Sequence, residues 1–312
     1  MYSYLELTDD QYRLTRDLYR LSFNVKQDID SIRIKYDTSM FGLKNIGYFA
    51  VSEKDEPAAF YGVFPMRLKY GNKEYLIAQS GDTMTAPDHR GKGLFIQLAK
   101  MTYELAKKKS VVFVFGFPNE NSLPGFQKKL DWQFYGNMQR FRFRHSVIPL
   151  CEIASKSNAL HKIYRNYCQG RLKRNRLEVT EENIMPFKHS EDKGQIARDK
   201  DYYQYKLRNT DNHLVRINDF SLLIKPKDHL IIGDVGYFDR NRLDEFMKTV
   251  SKLSRKLGCR DVIFTVSRNY WLYNYLINIG EAQESLPIGY LPLDCDLPLN
   301  EISFTQSDYD TF

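Results

Sequence analysis

Cysteine and histidine are scarce in this 312-residue chain, which has four of the first and six of the second. Cys151, Cys168, Cys259 and Cys295 form no C-x-x-C pair, and no histidine cluster accompanies them. That spacing gives neither the ligand set of a zinc module nor a disulfide framework, so no metal is expected. Free thiols suit a reducing compartment. Long apolar runs are also missing. The longest, near residues 111–117, falls far short of the ~20 residues that span a bilayer. The opening MYSYLELTDDQYRL lacks the basic-then-apolar pattern of a signal peptide. The expectation is a soluble cytoplasmic protein.

Acidic residues are outnumbered, 39 against 46 Lys and Arg, for a net charge of +7. A basic surface draws polyanions, although this excess is small when spread over the whole chain. Aromatic residues are plentiful. The 22 Tyr and 20 Phe argue for packed cores rather than disorder. The length fits about two domains.

Residues 79–109, QSGDTMTAPDHRGKGLFIQLAKMTYELAKKK, organise the first half. A strand turns at Pro87 and passes through Arg90-Gly91-Lys92-Gly93. It then enters a helix with Leu94, Leu98, Met101 and Leu105 on one face. Two glycines permit a sharp bend and close approach to a ligand. The first-turn amides have no helical partner, and the dipole is positive there. With Arg90 and Lys92 alongside, these features suit a phosphate or diphosphate. Taken alone, G-x-G is more often a basic surface turn. The apolar strand at 111–117 and a short helix ending near Trp132 supply the context that favours a ligand.

At this point the chain resembles the GNAT acetyltransferase superfamily over most of residues 1–145. That family carries Gln/Arg-x-x-Gly-x-Gly/Ala at a helix start, matched here by Arg90, Gly91, Lys92, Gly93 and Leu94. Phe95 departs from the usual small residue; its amide remains available and its ring can turn inward. The resemblance implies acetyl-coenzyme A (acetyl-CoA) as co-substrate, its diphosphate on this loop. It places Asn121 against the pantetheine arm. It makes the amides of Met84 and Thr85 candidates to polarise the thioester carbonyl. The family's tyrosine acid has no counterpart, since Phe126 and Gln127 stand nearest its place. Asp82, on the strand facing the acetyl group, is the candidate base; the plain alternative is a carboxylate satisfied by a neighbour. His89 is read as exposed. Phe312 is a second catalytic candidate, because a terminal carboxylate enters the site in related aminoglycoside acetyltransferases.

The remainder reads as an echo. Strands at 214–217, 221–225 and 229–237 precede a helix through Leu243, Phe246, Val250 and Leu253; an apolar strand at 261–267 and a helix at 268–279 follow. The second helix is entered through Gly236-Tyr237-Phe238-Asp239, with no G-x-G and with a carboxylate that repels phosphate. The expected fold is therefore α+β: two GNAT-like domains, each a mixed, mostly antiparallel sheet flanked by helices, the second degenerate. The expected division is 1–147, a basic helical linker at 148–200, and 201–312. Lys162, Arg165, Arg171, Lys173, Arg174 and Arg176 make that linker basic, yet no RNA-binding motif accompanies them, so nucleic acid is not an expected partner. In 134–144 the apolar Phe141 and Phe143 alternate with Arg140, Arg142 and Arg144, read as a solvated basic face.

The function implied is an acetyl-CoA-dependent N-acetyltransferase acting on the amine of a small acceptor, an amino sugar of surface polysaccharide being one implied class. An aminoacyl-tRNA-dependent transferase of peptidoglycan type and a non-catalytic ligand-binding protein of the same fold are the alternatives.

Overall fold

The computed structural model describes residues 1–188, 193–295 and 297–312. In order the elements are β1 (Tyr2–Glu6), α1 (Tyr12–Phe23), α2 (Ile29–Tyr36), β2 (Ile46–Ser52), β3 (Pro57–Tyr70), β4 (Lys73–Thr85), α3 (Leu94–Lys108), β5 (Phe113–Gly116), α4 (Leu123–Lys129) and β6 (Gln133–Arg144). There follow α5 (Leu150–Ala154), α6 (Asn158–Leu172), α7 (Glu181–Lys188), β7 (Gly194–Ile196), α8 (Lys200–Leu207), β8 (His213–Ile217), β9 (Phe220–Pro226) and β10 (Leu230–Val235). The chain closes with α9 (Leu243–Leu257), β11 (Asp261–Val266), α10 (Tyr273–Ile279), β12 (Ala282–Pro292) and β13 (Ile302–Ser303). Mixed, mostly antiparallel sheets with flanking helices are the α+β class read from the sequence. The polar stretch 190–200 reads as a loop from its composition, and part of it lies outside the described residues. Pro65 sits inside the long β3 ladder, paired with Ala78.

Two compact units result: Met1–Gly136 with Leu286–Asn300, and Asn137–Ser285 with Glu301–Phe312. Each therefore holds a strand drawn from the other half of the chain. In the first unit the order is β1-β2-β3-β4-β5-β12, with β4 and β5 parallel and the other neighbours antiparallel. In the second the order is β6-β11-β10-β9-β8, again with one parallel pair, β10 and β11.

In the first unit, helix α3 covers one face of the sheet. Its Leu94, Leu98, Ala99, Tyr103 and Ala106 are buried with Ala59, Tyr61, Val63 and Val114. Helices α1 and α2 cover the opposite face, burying Leu18, Ile32 and Tyr36 with Phe49, Phe60, Phe64 and Met84. Burying an aliphatic or aromatic side chain of this size contributes about 1.5–3 kcal/mol.

Residues 148–200, expected as a basic linker, form α5, α6, α7 and β7. Tyr164, Cys168 and Leu172 of α6 are buried in the second unit's core with Val250, Leu253 and Leu257. The basic face of β6 is exposed, as expected, and it also makes ion pairs. Arg142 and Arg144 both bind the buried carboxylate of Asp261, on the neighbouring strand β11. Burial opposes ionisation of Asp261, but the two guanidinium groups outweigh it and set the pKa to about 2. That lies below the unfolded value, so the stabilisation is complete above about pH 4 and is lost as pH falls through about 2. Asp261→Asn should cost about 2 kcal/mol at neutral pH and flatten the acid limb of the stability curve. Urea unfolding between neutral and acid pH checks this, and unchanged stability at neutral pH would contradict it.

Candidate active site

The site begins where two strands stop pairing. Parallel β4 and β5 are in register only at Ala78–Val114 and Gln79–Phe115. Beyond Gln79 the edge of β4 is left open. Against β3, β4 carries a bulge: Tyr61 pairs Thr83 and Val63 pairs Ser80, so Gly81 and Asp82 face Gly62 alone. Gly81 has to be glycine, since a Cβ there would lie 2.0 Å from the Phe64 ring. The Ala86 amide donates to the Ala58 carbonyl at 2.9 Å. By the two-residue alternation of an antiparallel ladder, Met84 also points its amide at β3, while Thr83 and Thr85 point theirs to the open edge. Of the two amides expected to polarise a carbonyl, that of Thr85 points to the open edge, as does that of Thr83, whereas that of Met84 faces β3 and its side chain is buried against α1 and α2.

Past Thr85 the chain makes a tight 3-10 turn over Pro87–His89 and enters the glycine loop. His89, read as exposed, is partly covered and binds the Tyr2 hydroxyl at 2.8 Å. Gly91 and Gly93 have φ of +74° and +76°, and nothing lies within 4 Å of a Cβ built on either. Backbone conformation, not crowding, therefore demands glycine at both. The first helical bond of α3 runs from the Gln97 amide to the Gly93 carbonyl, at 3.2 Å, and no side chain caps the helix. The amides of Leu94, Phe95 and Ile96 are thus left for a ligand. They border a cavity of about 350 Å³, lined among others by Arg90, Lys92, Lys128 and Lys129. Three donors at a positive helix end beside four cationic side chains fit a diphosphate.

Phe95 lines this cavity with its ring turned inward. It packs edge-on against Phe126 at 5.1 Å between ring centres and lies 5.9 Å from Tyr61. Gly125 accommodates it, since a Cβ there would come within 2.6 Å of the ring. Asn121 stands in the turn before α4 rather than within it, and is exposed. Asn119 shapes that turn, its side-chain oxygen accepting from the amides of Asn121 and Ser122 at 3.1 and 3.2 Å.

Asp82 is brought to the α1–α2 face. Its carboxylate accepts from Lys35 Nζ at 2.8 Å, from the Tyr19 hydroxyl at 2.6 Å and from the Tyr36 hydroxyl at 2.7 Å. Burial favours the neutral acid, but Lys35 and the two hydroxyls prevail and keep its pKa below the ordinary value. Burial and the Asp82 charge together push the Tyr19 phenol well up, so it stays a donor.

Phe312, the other catalytic candidate, belongs to the second unit. Its ring packs on Gly233, Lys225 Nζ sits 5.2 Å above the ring, and Asn212 donates to its carbonyl oxygen at 3.1 Å. None of these partners is a cofactor-loop residue or Asp82. Also in the second unit, Glu152, His229 and Asp261 bring possible ligand atoms within 4.8 Å of one another, the one such grouping among the described residues. Arg142 and Arg144 already occupy that aspartate.

Reading the sequence missed Lys128 and Lys129, two cations in tandem on a short helix, and the Lys35–Tyr19–Tyr36 set around Asp82. Asp82→Ala would strand the Lys35 ammonium and two hydroxyls, costing roughly 2–3 kcal/mol. Chemical denaturation tests this; a variant as stable as the parent would show that the cluster is solvated rather than structural.

Comparison with known proteins agrees with this geometry. The sequence model of the acetyltransferase (GNAT) domain matches residues 3–135. No curated protein matches the chain by sequence. Among solved structures, a GCN5-related N-acetyltransferase from Kribbella flavida is similar with a TM-score of 0.62 at 16% identity, covering 94% of this chain and 72% of that one. One from Anabaena variabilis gives 0.58 at 13%, covering 94% and 73%. A GCN5-related glucosamine N-acetyltransferase region of a fungal multi-domain GH3 β-N-acetylglucosaminidase gives 0.57 at 11%, covering 93% and 38%. At such identities the likeness is one of fold. No helix among the described residues is long and apolar enough to cross a membrane. Residues 3–135 are thus similar in sequence to the acetyltransferase (GNAT) domain.

Proposed function

We propose that the first unit transfers an acetyl group from acetyl-CoA to the amine of a small acceptor. The observation that carries this is the loop: unpaired amides of Leu94, Phe95 and Ile96, two positive-φ glycines and four cations around one cavity, at the end of a strand with an open edge. The diphosphate lies on the loop, and the pantetheine arm runs back along β4 toward the bulge. Asn121, exposed beside α4, borders that arm. The outward amides of Thr85 and Thr83 serve the arm and the thioester carbonyl. Most of the rate gain comes from positioning and from fixed donors aimed at developing charge.

An acceptor amine must be neutral to attack, whereas a free alkylammonium has a pKa of roughly 10.4. Asp82, held below the ordinary carboxylate range, is a weak base at neutral pH. On this reading it fixes Lys35, Tyr19 and Tyr36 beside the acceptor rather than taking its proton, and water carries the proton away. Phe312 packs the second unit and has no acid–base part. An amino sugar is the acceptor class we favour, supported by the hydroxyls and charges of Tyr19, Lys35 and Tyr36 around Asp82 and by the likeness to the fungal glucosamine N-acetyltransferase region. The reading entails a compartment that supplies acetyl-CoA, the cytoplasm.

The second unit is, on the same reading, a degenerate copy. Its strand order runs parallel to the first, but α9 is entered through a 3-10 turn capped by Asp239, whose carboxylate accepts from the Asn241 amide at 2.9 Å. The Asp239 charge at that entry opposes a diphosphate.

Saturating acetyl-CoA should raise the melting temperature, by the equivalent of about 2.7 kcal/mol at a hundredfold excess over Kd. Gly91→Val with Gly93→Val should erase the shift, and an amine panel including glucosamine should release thiol from acetyl-CoA. The absence of any shift at millimolar acetyl-CoA would overturn the proposal.

A further inference from the structure

A line of hydroxyls runs through the apolar core of the first unit, from Trp132 past α3 and β3 to β4. Trp132 Nε1 donates to the Tyr103 hydroxyl at 3.1 Å, Tyr103 and Tyr61 share a hydrogen at 2.9 Å, and the Tyr61 hydroxyl donates to Ser80 Oγ at 2.8 Å. Tyr61, Tyr103 and Trp132 are 0%, 6% and 5% exposed. Polar groups so deeply buried are costly unless hydrogen-bonded, and apolar residues of the same size would fill the space. The chain has a direction. An indole N–H only donates, so the Tyr103 oxygen receives it and its own proton goes to Tyr61. Tyr61 spends its proton on Ser80. The Ser80 proton is therefore turned away from the core, and among the described residues it has no acceptor. Burial pushes the phenols of Tyr61 and Tyr103 well up, which keeps both neutral and donating.

Ser80 stands where that proton can act. It is the first residue of β4 past the last register with β5, partly exposed, with a Cβ on Gly116 falling 3.1 Å from its own. Thr85 borders the loop cavity. From there back to Ser80 is five residues of extended chain, ~16 Å at about 3.3 Å each, slightly less across the bulge. An extended pantetheine arm anchored by its diphosphate has a comparable reach. Phe95 touches both the cavity and Tyr61, so the two features adjoin.

We infer that Ser80, oriented by the Trp132–Tyr103–Tyr61 relay, is the hydrogen-bond donor to the sulfur leaving the thioester. This rests on the acetyl-transfer reading. The amine lone pair forms the C–N bond, and the C–S bond breaks with its electron pair passing to sulfur. The Ser80 hydroxyl stabilises the nascent thiolate without surrendering its proton. The amine's proton goes to water, giving amide, thiolate and one proton from amine and thioester. A pre-aimed donor of this kind replaces the tyrosine acid for which the chain has no counterpart.

The test uses the full chain, acetyl-CoA and whichever amine of the panel is acetylated. Ser80→Ala should lower kcat by about 10²-fold, with the acetyl-CoA-induced melting shift retained. Tyr61→Phe keeps the ring but frees Ser80 to rotate, and should lower kcat by about tenfold with KM for acetyl-CoA unchanged. Wild-type kcat in both variants would overturn this inference while leaving acetyl transfer standing. A Ser80→Ala that loses the melting shift and kcat together would also overturn it, because Ser80 would then be a binding residue. No thiol release by the wild-type protein would overturn both readings.

Discussion

The early parting of two parallel strands is the constraint on which the first unit depends. β4 and β5 share two registers and then separate, because β4 turns with its bulge at Gly81–Asp82 and β5 ends at Gly116. An open strand edge inside a domain is a liability, since its amides and carbonyls need partners. The separation is sustained by packing on both faces, with α3 and its aromatic cluster on one side and the Asp82 cluster under α1 and α2 on the other. The gap is thus a built feature that a long, thin, polar ligand can complete.

The glycine loop lies at one end of that gap and the bulge at the other. Cations gather at the loop end, from the loop itself and from α4, whereas the bulge end presents one negative charge held by Lys35. Between them the core holds a directed series of hydroxyls rather than inert hydrocarbon. In the second unit α9 is entered not through a glycine loop but through a 3-10 turn capped by Asp239.

Features encoded by neighbouring residues were legible in the sequence. The loop was, because Arg90-Gly91-Lys92-Gly93 states both its charge and its φ requirement locally. The amphipathic runs of α3 and α9 were legible for the same reason. What escaped depends on distant contacts. Lys128 and Lys129 look like an ordinary helix end until α4 is seen to aim them at the loop. Asp82 reads as a base or as a carboxylate satisfied by a neighbour until Lys35, 47 positions away, arrives at 2.8 Å. The loss of the Met84 amide follows from ladder parity, which a bulge two residues upstream resets. The mutual insertion of β6 and β12 leaves no local mark, so contiguous domains are the natural reading of the linear order.

The most direct measurement is a crystal structure of the protein with coenzyme A. The account predicts the diphosphate on the amides of Leu94, Phe95 and Ile96, the pantetheine along the open edge of β4, and the sulfur within hydrogen-bonding distance of Ser80 Oγ. A diphosphate bound elsewhere, or an arm that does not follow β4, would contradict it.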